Sequence, residues 1–112
     1  MATSKLIPDE DYLKKANDPH FALAFARIEC HYFINNIFQE DDVILNNIDK
    51  IQDIPGVIVQ GRYDVVCPPV SAWDLHQAWP KSDLEMITDA GHSVGEIGIA
   101  KALLAATDRF GA

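Results

Sequence analysis

The sequence is short of cysteine, of basic residues and of long apolar runs. Cys30 and Cys67 are its only two cysteines. Two thiols cannot build a disulfide scaffold, and neither sits at a zinc-ligand spacing, so no metal site is expected. Both read as reduced, partly buried thiols, ahead of a bridge or a reactive group. Nine Lys and Arg stand against seventeen Asp and Glu, a formal net charge of −8, which argues against nucleic acid as a partner. No apolar stretch approaches the roughly 20 residues that a membrane span needs, so no membrane partner is expected. The opening M-A-T-S-K-L-I-P-D-E lacks a signal-peptide pattern, which leaves the cytoplasm as the default location. There is no internal repeat or low-complexity segment, and no cofactor is expected.

What is present centres on Ile54 to Pro68, I-P-G-V-I-V-Q-G-R-Y-D-V-V-C-P. The β-branched run Val57-Ile58-Val59 predicts a buried strand over 56–60, too apolar on both faces for an exposed edge. It ends near Gly61, and Asp64 follows in the loop. Pro68 to Trp79 predicts a crossover helix, with Trp73, Leu75 and Trp79 candidates to pack on the sheet, and Leu84 to Ile87 a second strand. Strand–helix–strand over this length implies a parallel, right-handed crossover. Asp89-Ala-Gly-His92 comes next, then a last helix over 95–109 with Ala100, Leu103, Leu104 and Thr107 as its inward stripe.

Upstream, Asp18 and Pro19 form a helix-start signal, and Phe21, Phe25, Ile28 and Tyr32 recur at helical spacing until Asn35-Asn36 breaks the pattern. A short helix is expected over 9–17 and another from Asp41-Asp42, with Val43, Ile44 and Ile48 as its apolar side. Ile54-Pro55-Gly56 marks the boundary between a helical segment, 1–53, and an α/β segment, 54–112.

A carboxylate beyond one strand and a histidine beyond the next would lie at the same end of adjacent parallel strands. That is the acid–base half of a hydrolytic triad: the carboxylate fixes the imidazole tautomer, and the imidazole moves the proton. On pattern alone, the commoner reading is Asp64 as a loop acid and His92 as a capping or surface residue. His20, His31 and His76 read as helix or surface histidines.

The stretches G-R-Y-D-V-V-C-P, S-A-W-D-L-H-Q-A-W-P and G-H-S, in that order, resemble the C-terminal part of prolyl aminopeptidases (proline iminopeptidases). F-A-L-A-F-A-R-I-E-C-H-Y-F resembles the helical cap of the same family. The resemblance runs from about Leu6 to Phe110 and implies the C-terminal portion of an α/β-hydrolase fold, two parallel strands with helices, preceded by cap helices. It implies serine-peptidase chemistry that releases N-terminal proline, with Asp64 and His92 catalytic. Glu29 would bind the substrate's ammonium, beside a second family glutamate that lies upstream and has no counterpart here. It also implies that Cys67 is structural, since the family carries a cysteine in this stretch while using serine.

The family's nucleophile elbow, G-x-S-x-G, does not occur in these 112 residues, nor does its glycine-rich oxyanion segment. Ser4, Ser71, Ser82 and Ser93 are the only serines, and none is placed as a substitute. The expectation is a truncated or partial copy, inactive alone, that self-associates or folds with a complementary N-terminal piece. The competing expectation is a non-catalytic interaction fragment or pseudoenzyme.

Overall fold

A computed structural model describes residues 5–7, 10, 11, 14 and 17–111. The helix expected over 9–17, and Ser4, fall mostly or wholly outside that set. Helix α1, Pro19–Ile34, begins where the sequence signals it: the Asp18 side chain accepts from the Phe21 N–H, with Pro19 at the first helical position. It ends at Asn35, which leads into a turn whose residues Asn36, Ile37 and Phe38 have φ of 48°, 56° and 57°. Left-handed backbone costs a non-glycine residue about 1–2 kcal/mol, so this is a strained way to reverse direction. Phe21 and Phe25 stack at 5.9 Å, yet they and the rest of the apolar stripe, Ile28 and Tyr32, remain exposed. Among the described residues α1 packs only on the turn after it and touches no strand or other long helix.

The helix expected from Asp41-Asp42 is replaced by turns, and Asp42 itself is left-handed at φ 56°. A 3-10 stretch, Leu45–Lys50, follows and packs on the crossover helix.

Strand β1, Gly56–Gly61, runs parallel to β2, Ser82–Ile87, in a two-stranded sheet with Gly56 opposite Ser82 and Gly61 opposite Ile87. Helix α2, Pro69–Ala78, joins them, and α3, Ile97–Phe110, follows β2. Two parallel strands with helices are the architecture expected for the end of an α/β-hydrolase sheet. β2 starts two residues earlier than its apolar run, because pairing with Gly56 and Val57 recruits Ser82 and Asp83. Ser82 is buried, its hydroxyl donating to the Trp79 carbonyl and contacting His76 Nδ1, both at 2.8 Å. Among the described residues β1 has one neighbouring strand only, and its residues 56–60 are half-buried rather than buried.

The inward face of α3 also differs from expectation. Ile99 and Ala102 are buried, whereas Leu104 is 64% exposed and Leu103 lies outward with it. The helix is apolar on more than one side, so periodicity could not tell which side the sheet takes. On α2 the buried residue is Ala72, with Leu75 half-buried and Trp73 exposed, and Trp79 just beyond its end is half-buried.

Gly61 sets how closely the two strand ends approach. A Cβ there would lie 1.9 Å from the Gly91 carbonyl oxygen and 2.8 Å from that of Ala90. The hydrogen bonds Arg62 N–H to Ile87 O (2.9 Å) and Tyr63 N–H to Ala90 O (3.0 Å) carry the pairing past the strands into the loops. Gly61→Ala should therefore destabilise the chain by about 1–3 kcal/mol or more, read as a lower denaturation midpoint. Gly95→Ala, whose added carbon meets nothing nearer than the Ser93 hydroxyl at 3.6 Å, should be nearly silent. Equal effects of the two changes would refute the close-approach argument.

Candidate functional site

The pinned loops bring Asp64 and His92 together. Asp64 follows the turn at the end of β1, where its own N–H reaches the Gly61 carbonyl at 3.3 Å. Its Oδ1 accepts from the N–H groups of Val66 (2.9 Å) and Cys67 (2.8 Å), an arrangement in which an aspartate stabilises its own loop. Gln60 holds the same loop from β1, its amide donating to the carbonyls of Gly61 (3.0 Å) and Cys67 (3.1 Å). Oδ2 is left for His92, whose Nδ1 lies 3.0 Å away.

An ionised carboxylate only accepts, so Nδ1 carries the hydrogen and the lone pair of the neutral ring sits on Nε2. Nε2 makes no hydrogen bond among the described residues. The Asp64 side chain is 7% exposed and that of His92 39%. A buried acid therefore orients a ring whose working nitrogen is open to the outside. Burial pushes the Asp64 carboxyl up. The Cys67 N–H, the His92 hydrogen bond, the Val66 N–H and the His92 charge together outweigh it and hold the group below its ordinary range.

The loop after β2 is shaped by Ala90 and Gly91, both buried, and by Glu96, which accepts from backbone N–H groups on both sides of His92. Neither Gln60 nor Glu96 stood out in the sequence. A polar residue at a strand end and an acid before a helix are ordinary there, and only the folded loop shows what they hold.

No described serine bonds to His92. The Ser93 hydroxyl takes the Gly95 N–H at 3.3 Å, Ser82 is occupied at the other end of the sheet, and Ser71 lies exposed in α2. Glu29 is exposed on α1, and no hydrogen bond or ion pair joins it to Asp64 or His92. Cys30 and Cys67 are both free and both exposed, not partly buried as their residue type suggests.

Although the sequence shows no metal-ligand spacing, the fold converges three donors. A carboxylate oxygen of Asp64, the Cys67 sulfur and a His92 ring nitrogen lie within 4.8 Å of one another. They form a zinc-type donor set, but the Asp64 oxygens already serve two backbone amides and the imidazole, so an ion would have to displace the Asp64–His92 bond. No helix among the described residues is long and apolar enough to cross a membrane.

Comparison with known proteins agrees with the motifs. The chain is 61% identical over 109 residues to a Leptolyngbya boryana protein named "Probable proline iminopeptidase", a match covering 96% of this chain and 34% of that protein. It is 56% identical over 110 residues to the proline iminopeptidase of Xanthomonas citri, covering 97% and 35%. With that of Arabidopsis thaliana it shares 51% over 111 residues, covering 98% and 29%. No protein-family model matches the chain. The chain spans about a third of the length of these curated relatives and corresponds to their C-terminal part.

The depressed Asp64 pKa gives stability a defined pH dependence. A carboxyl whose folded value lies below its unfolded value of about 3.9 contributes fully above that value. The contribution declines as pH falls through the folded value. Denaturation midpoints followed down from about pH 5 should therefore drop more steeply for the native chain than for Asp64→Asn. Parallel curves would show that the carboxylate is not held as described.

Proposed function

We propose that this homologue of the proline iminopeptidases carries the acid–base half of a serine aminopeptidase that releases N-terminal proline, with the nucleophile contributed by residues outside these 112. The observation that carries the reading is the 3.0 Å contact between buried Asp64 and the Nδ1 of His92. It lies at the carboxyl ends of two parallel strands, where α/β sheets present catalytic groups.

In this reading Asp64 orients and stabilises the imidazole. Nε2 of His92 takes the proton of the serine hydroxyl as that oxygen attacks the proline carbonyl. His92 then returns the proton to the departing amine, leaving a prolyl ester. Water, activated by the same nitrogen, hydrolyses the ester. Glu29 receives the free ammonium of the substrate's proline; its carboxylate has no hydrogen bond or ion pair among the described residues, which leaves it available. Residues 1–53 act as the cap segment and 54–112 as the core segment. The setting is the cytoplasm, and neither nucleic acid nor membrane takes part.

Triad members act as a unit, so two without the third give almost no turnover, and the chain alone is inactive. Activity then depends on a complementary serine-bearing piece or on assembly. Among the described residues, both edges of the two-stranded sheet lack a further strand, and Phe33, Ile34, Ile37 and Phe38 are 55–80% exposed. That surface also favours a second reading, a non-catalytic fragment that docks through its apolar faces.

Release of a chromophore from a proline anilide separates these readings. The expected result is no turnover by the chain alone, turnover on adding a serine-bearing N-terminal fragment of a relative, and its loss in His92→Ala. Turnover by the chain alone that Cys67→Ala abolishes would make Cys67 the nucleophile and overturn the partition proposed. No turnover in either setting would favour the docking fragment. In the active mixture, Glu29→Gln should raise KM for proline substrates about 10–100-fold, the worth of one charge-assisted hydrogen bond.

A further inference from the structure

Glu96 occupies the N-cap of α3 with an extended backbone, φ −73° and ψ 135°. A side chain at that position ordinarily accepts from the free N–H groups of the first helical turn. The Glu96 side chain makes no such bond. It turns back along the chain instead. Oε1 accepts from the Gly91 N–H at 3.0 Å and from the Ser93 N–H at 3.2 Å, the two amides that bracket His92 in sequence. Oε2 accepts from the Leu6 N–H at 3.1 Å. The Glu96 N–H closes the same turn on the Ser93 carbonyl at 3.0 Å. Glu96 is half-buried, and bonds from backbone amides to an ionised acceptor are among the stronger ones available to a loop.

We propose that Glu96 is a positioning residue for His92: its carboxylate clamps the amides on either side of the histidine and thereby fixes the ring where it meets Asp64. The proposal rests on the reading of His92 as the proton-transfer group. The need for a clamp follows from the surroundings. The His92 side chain is 39% exposed, so packing restrains it weakly, and its one hydrogen bond to Asp64 holds only one edge of the ring. Gly91, on its N-terminal side, adds backbone freedom. A displacement of about 1 Å at such a group can cost on the order of 100-fold in rate. The end of β2 at Ile87 fixes where the loop starts, α3 fixes where it ends, and Glu96 ties the span between them to a single carboxylate.

The test is an NMR comparison of the native chain with Glu96→Ala and Glu96→Gln. In Glu96→Ala, amide exchange at Gly91 and Ser93 should rise at least about tenfold, while Val57 to Gln60 in β1 keep their protection. The downfield Nδ1–H proton of His92, visible while Asp64 holds it, should broaden or vanish. Glu96→Gln keeps an acceptor oxygen and should retain most of both signals. In the mixture with a serine-bearing fragment, Glu96→Ala should lower kcat about 10–100-fold with KM unmoved.

Two results would overturn the proposal. One is unchanged exchange and an unchanged His92 resonance in Glu96→Ala. The other is exchange that accelerates equally across β1, which would make Glu96 a general stabilising group. The NMR signals need no turnover, so a failed aminopeptidase assay leaves this test intact.

Discussion

The close passage of Gly61 against the Ala90–Gly91 backbone is the constraint on which the rest of the site depends. Parallel pairing alone aligns the strands only as far as Gly61 and Ile87. Beyond that point two loops must run side by side, and a side chain at position 61 would force them apart. Because hydrogen is all that stands there, Arg62 and Tyr63 continue the ladder onto Ile87 and Ala90, and the loops leave the sheet in fixed directions. Asp64 and His92 are the next polar groups on each. Their meeting follows from main-chain geometry, with Gln60 and Glu96 as outriggers on the two loops.

Much of this was legible in the residues. Asp18-Pro19 at one end and Asn35-Asn36 at the other bound α1 because each acts locally, through a side-chain cap and a tolerance for left-handed backbone. The run Val57-Ile58-Val59, the Pro-Pro start of α2 and the order carboxylate then histidine gave the parallel unit and the two residues that meet at its end. What escaped was tertiary in origin. Ser82 and Asp83 became strand through a partner, Asp41-Asp42 opened turns where acids usually start helices, and α3 chose Ile99 and Ala102 over Leu103 and Leu104. Nothing local distinguishes those choices, since each depends on what stands opposite. The motif resemblance supplied Glu29, and no contact within the described residues bears on that assignment.

Little of the apolar surface is enclosed among the described residues. The buried apolar residues among those described are Ala72, Ala90, Ile99 and Ala102, and no large side chain is fully enclosed. Three of the four are alanines, so burial here reflects close backbone approach more than side-chain volume. The larger groups, among them Phe33, Phe38 and Leu104, lie outside. Burial of those faces would contribute roughly 25 cal/mol per Å².

The crossover through α2 has a kinetic consequence. Asp64 and His92 stand on opposite sides of a complete helix and a strand, so no local fluctuation can unite them. Their contact forms only when the parallel pair closes, and closure of that kind is slow because chain entropy is lost before any non-local contact offsets it. The hydrogen bond between them therefore depends on the parallel pairing and not on local structure.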